Sequence, residues 1–159
     1  MELSLELARL SSGENIDVDT TSLMDATVCV TCDGYARHVL ERVKEVLLCA
    51  ITEGGGEDAE TFLPEWFVAS CAPELSDGKV ETMLRSPAGF AKLSHMWTPR
   101  GFSYWFRADQ RSWYWWDSKV IDPRTLHIDL KVEGFPFAWG ALEFLLEAAG
   151  ATRSELMTQ

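Results

Sequence analysis

Apolar residues recur at Ala36, Val39, Leu40, Val43, Val46, Leu47, Ala50 and Ile51. This is the i, i+3, i+4, i+7 spacing of one helical face, sustained long enough to predict a helix over about 34–52. Asp33 stands where an N-cap is expected. Arg37 and Glu41 form an i, i+4 pair on the wet face. Gly54-Gly55-Gly56 supplies the stop. Further along, the period changes to two. Leu126, Ile128, Leu130 and Val132 alternate with Thr125, His127, Asp129 and Lys131, which predicts a half-buried antiparallel strand. The turn sequence Ile121-Asp122-Pro123-Arg124 joins it to an aromatic-rich arm, giving a hairpin 112–120/125–133.

Weaker patterns fill the rest. Residues 26–31 are β-branched and read as a strand. Leu3, Leu5 and Leu7 alternate, whereas Leu3, Leu7 and Leu10 share a helical face. Good helix formers favour a helix here, closed by Gly13. Pro64 opens a short helix carrying Trp66, Phe67 and Val68, and Thr98-Pro99 opens another that buries Phe102, Trp105 and Phe106. Residues 79–96 carry the breakers Pro87 and Gly89 and read as irregular. A helix over 137–149 turns Trp139, Leu142, Leu145, Leu146 and Ala149 inward, with Gly150 as its C′ residue. The expected fold is α+β: a small antiparallel sheet built around the hairpin and packed against several helices. The expected organisation is one globular domain over 1–150, with a frayed polar tail over 151–159.

The length, 159 residues, suits a single core. The net charge is −11 and is uneven. Residues 1–81 hold 17 acidic against 5 basic groups, whereas 82–135 hold 8 basic against 5 acidic. A negative body repels nucleic-acid phosphates and anionic lipid, so neither is an expected partner, and a basic protein is. The acidic start lacks the charge pattern of a signal peptide, and the apolar run Val46–Ile51 is too short to span a bilayer. A cytoplasmic location with reduced thiols is the resulting expectation.

Candidate chemistry is sparse. Cys29-Val30-Thr31-Cys32 is a CxxC ahead of a helix, the order a redox pair needs. On a continuous strand, however, a spacing of three places the two thiols on opposite faces. Zinc needs paired ligand spacing, and Cys49, Cys71, His38, His95 and His127 are scattered singly. Glu14, Asp17 and Asp19 lack the ligand series of a calcium loop. No nucleophile elbow, HExxH or P-loop is present. No catalytic residue, metal or cofactor is assigned.

The aromatic cluster changes the picture most. Residues 97–116 hold 9 of the 18 aromatics, including Trp113-Tyr114-Trp115-Trp116. On one strand these rings alternate between faces. One set is Tyr114, Trp116, Ser118 and Val120; the other is Trp113, Trp115, Asp117 and Lys119. Burying the charges of the second set is costlier than exposing a tryptophan. With Val120 opposite Leu126, the first set is therefore expected on the core face. Trp113, Trp115, His127 and Asp129 then form the candidate contact face. The expected function is a non-enzymatic protein-interaction domain, such as a bacterial immunity or antitoxin-like protein that caps a basic partner. The alternatives are a small-molecule or carbohydrate module using the tryptophans, or an enzyme centred on the CxxC or on His127 and Asp129.

Overall fold

The structure, a computed structural model, describes residues 1–13 and 20–157. Glu14, Asp17 and Asp19 lie outside the described residues. The β-branched run near the start forms strand β1 (Met24–Cys32). The hairpin arms are β2 (Trp113–Asp122) and β3 (Thr125–Val132). Residues expected to fray form a fourth strand instead, β4 (Ala151–Met157), which is antiparallel to β1. All pairings are antiparallel, and the order is β2-β3-β1-β4. β4 escapes sequence recognition because it lies at the sheet edge and, Met157 apart, its exposed positions are polar. Leu156, opposite Val28, and the small Ala151 are its apolar anchors.

Helices cover one face of the sheet. Val28, Val30, Leu126, Ile128 and Leu130 are wholly buried on that face. Against it lies α2 (Ala36–Glu53), with Val43, Val46, Leu47 and Ala50 inward, as its stripe predicts. α8 (Gly140–Ala149) packs on α2 and buries Leu142, Leu145 and Leu146. Each such side chain contributes about 1.5–3 kcal/mol on leaving water. The expected Asp33 cap is not formed. Tyr35 is the N-cap residue, without a side-chain bond. The Ala36 N–H instead donates to the Pro123 carbonyl at 2.7 Å, and Cys32 N–H donates to Arg124 O at 2.8 Å. The hairpin turn thus supplies an acceptor that an Asp would otherwise provide.

The first segment is the helix α1 (Leu3–Ser12), closed by a left-handed Gly13. Two short helices, α3 (Ala59–Phe62) and α4 (Glu65–Ser70), follow α2. α7 (Pro99–Tyr104) starts as expected, with Thr98 Oγ1 accepting from Gly101 N–H. Phe67, Phe102, Phe106 and Trp113 form an unbroken series of ring contacts with centroids 4.6–5.8 Å apart. Three of the nine clustered aromatics, Phe102, Phe106 and Trp113, are committed to the core in this way.

Residues 79–96 are more ordered than expected. They contribute α5 (Asp77–Leu84) and α6 (Pro87–Ser94), capped by Ser76 and Ser86 hydroxyls. The two helices meet where a Cβ on Gly89 would lie 2.2 Å from the Met83 carbonyl oxygen. The supposed breakers are therefore a helix start (Pro87) and a helix-crossing point (Gly89). Neither helix has a buried residue. The pair stands off the core, its base closed by Ala72 N–H donating to Trp97 O at 2.9 Å.

Candidate functional site

The hairpin contains the expected register and then departs from it. Val120 lies opposite Leu126, and Lys119, Ser118 and Asp117 oppose His127, Ile128 and Asp129. A β-bulge follows between Trp115 and Asp117, so that Trp115 pairs with Leu130 and Trp113 with Val132. One extra residue, Trp116, exchanges the faces for the remainder of the strand. Trp113 and Trp115 are accordingly core residues, 3% and 1% exposed. The expected contact face of Trp113, Trp115, His127 and Asp129 is not assembled, because the tryptophans and the polar pair lie on opposite sides of the sheet. Uniform alternation forces a choice between burying charges and exposing indoles. The bulge removes that choice.

Helix α1 stabilises the bulge. Trp115 N–H donates to Glu6 Oε1 at 2.9 Å, and Arg9 Nη1 donates to Trp116 O at 3.1 Å. Glu6 is 1% exposed and also accepts from Arg111 Nη2 at 2.5 Å. The Arg9 guanidinium lies 3.4 Å from the Trp116 ring centroid, and Lys131 Nζ lies 4.7 Å from it. Two cations thus occupy the indole, which is no free stacking platform. On the same outer face Asp129 Oδ1 accepts from Thr27 Oγ1 at 2.7 Å, and Lys131 is ion-paired with Asp25. His127 sits between Cys29 and Lys119 in the strand registers.

The cysteines are free thiols. Cys32 is buried on the helix-covered face, and burial raises its pKa, the reverse of what an attacking thiolate needs. Cys29 points to the other face. Burial, with the Glu74 charge as a smaller contribution, pushes the Cys71 thiol up to about 11. Burial also raises Glu143, and burial followed by the Glu133 charge raises Tyr114. Among the described residues no group of three or more His, Cys, Asp or Glu side chains could hold a metal ion.

A surface that does combine acidic and aromatic groups lies along the first half of α2. A groove of about 460 Å³ is lined by Tyr35, His38, Glu41, Arg42 and Glu45, and bounded by Gly150 after α8. Tyr35 is 66% exposed, and its ring meets that of His38 edge-on, with centroids 5.6 Å apart. The same two rings wall a second groove of about 530 Å³, which runs to Val120, Asp122 and Pro123 of the hairpin. Asp122 is held below the usual carboxylate range, chiefly by the Arg124 backbone N–H. At the far end, Trp66 Nε1 lies 3.5 Å from Glu45 Oε2, with Arg42 5.1 Å from the Trp66 ring.

Sequence reasoning placed Trp66 in a helix but assigned neither Tyr35, Glu45 nor Trp66 to a site. One signal was available: Glu41 and Glu45 are like charges at i, i+4, an arrangement that costs helix stability. No protein-family model, curated protein or solved structure matches this chain.

Proposed function

We propose that this chain is a non-enzymatic interaction domain that binds a basic protein partner through the α2 surface. The observation that carries the reading is the groove holding Glu41 and Glu45 beside the exposed Tyr35, His38 and Arg42. Exposed aromatics and arginines are the residue types that dominate binding energy. Flanking carboxylates steer a cationic partner and fix its orientation. The surrounding segment, residues 33–76, carries 9 acidic against 3 basic groups, so the local field has the sign such a partner needs. A small acidic immunity or antitoxin-like protein that caps a cationic toxin would work in this way. A platform of Trp113 and Trp115 for sugars lacks support, since both rings are in the core.

The test pairs the wild-type chain with Glu41→Lys/Glu45→Lys and, separately, with Tyr35→Ala. Affinity capture from the native host identifies a binding protein, which is then purified and titrated by calorimetry. The charge-reversed variant is expected to bind at least about tenfold more weakly, a loss of about 1.4 kcal/mol. Raised salt is expected to reduce wild-type affinity. An acidic captured protein, or equal affinity for wild type and both variants, would overturn the reading.

A further inference from the structure

The two edges of the sheet are treated differently. At the β2 edge, Glu6 takes the Trp115 N–H and Arg9 takes the Trp116 carbonyl, so α1 blocks further pairing at the bulged part of that strand. At the other edge β4 pairs with β1 on one side. Among the described residues, no side chain of another element caps its outer side. Thr152, Arg153, Glu155 and Met157 are all exposed. An exposed edge strand is a template for another strand.

The charge pattern on β4 selects what that strand is. Arg153 and Glu155 lie on the outer face, opposite Thr31 and Cys29, and are ion-paired with each other. A polybasic or polyacidic strand would meet one favourable and one unfavourable charge. A second copy of β4, antiparallel and centred on Ser154, meets two favourable ones: Arg153 faces Glu155 of the other copy, and Glu155 faces its Arg153. Centring the axis on Arg153 or on Glu155 would place like charges directly opposite, which is destabilising. A shift of one residue in the pairing would put the charges against the helix-side residues. We propose that two copies of this chain associate through β4 about a two-fold axis at Ser154, extending the four strands of each into one continuous eight-stranded sheet. The interface is isologous, as closed dimers require. It adjoins the α2 groove at Gly150 but uses different residues, and it does not depend on that groove's role.

The decisive experiment is a charge-swap set followed by sedimentation equilibrium. Arg153→Glu places four carboxylates together across the axis, and Glu155→Arg places four cations together. Each variant alone is expected to raise the dimer dissociation constant by about tenfold or more. The double variant R153E/E155R restores opposite pairing and is expected to return to near the wild-type value. An equimolar mixture of the two single variants is expected to form a heterodimer, since each then presents one sign to the other. Circular dichroism and thermal melts of each variant separate lost association from lost folding. A wild-type chain that stays monomeric at high micromolar concentration would overturn the proposal, as would single variants that dimerise like wild type. So would a mixture of folded single variants that fails to pair.

Discussion

Glu6 joins three parts of the molecule through one carboxylate. Its Oε1 accepts from the Arg111 guanidinium and from the Trp115 N–H, while its own helix lies on the sheet edge. The Arg111 and Glu6 side chains are 7% and 1% exposed, so neither charge can recover its hydration if the other is removed. Breaking such a pair costs more than the pair contributes, because a buried charge is left alone. Glu6→Ala is expected to lose about 3–5 kcal/mol in urea unfolding. Glu6→Gln keeps an acceptor for Trp115 and should lose less. A loss below about 1 kcal/mol for the alanine variant would mean that water replaces the carboxylate at this site.

At the scale of elements, the bulge in β2 makes a specific prediction about chain length. Deleting Trp116 leaves Trp115 next to Asp117, and the pairs from Trp113–Val132 to Val120–Leu126 are preserved in regular alternation, the second irregularity between Val120 and Asp122 being untouched. The variant is expected to fold and to lose about 1–3 kcal/mol, from the cation–π contact with Arg9 and its bond to the Trp116 carbonyl. Deleting Ser118 instead slides Asp117 opposite Ile128 on the buried face, and that variant should not fold. Thermal melts of the two deletions distinguish these outcomes; equal losses would contradict the register. The bulge also shows where legibility ended. The α2 stripe, the β3 alternation, the Pro123–Arg124 turn and the Thr98 cap were readable, since each depends on local periodicity or turn chemistry. The bulge was not, because its cause is Glu6 and Arg9, more than a hundred positions away. β4 was missed for a related reason: its partner is β1, and its polar composition reflects an edge that only the assembled sheet defines. The candidate face failed with the bulge, whereas Tyr35, Glu41, Glu45 and Trp66 converge only once α2, α4 and the hairpin are in place.

Over the whole molecule, charge and topology point in different directions. The acidic first half gives the chain a negative field, the sign that the proposed basic partner requires. The sheet, by contrast, joins segments far apart in the sequence. β1 is an interior strand, and both of its neighbours come late: Met24 pairs with Val132, 108 residues on, and Thr27 with Met157, 130 residues on. During synthesis at about 5–20 residues per second, β1 therefore waits roughly 5–20 s for its first partner. Throughout that interval Ala26–Cys32 is an uncharged, largely β-branched segment with nothing to pair with, the composition that nucleates intermolecular β-structure. Long-range pairing of this kind also slows refolding, because loop closure precedes any reward. Thr31 is exposed in the finished sheet and lies opposite Arg153, so Thr31→Glu adds a charge that the native state tolerates. Its yield of soluble protein is expected to exceed that of wild type at an unchanged unfolding midpoint. An unchanged yield would place the aggregation hazard elsewhere. Nascent-chain vulnerability, set by the order in which strands emerge, is thus a property of this topology separate from the stability of the fold it reaches.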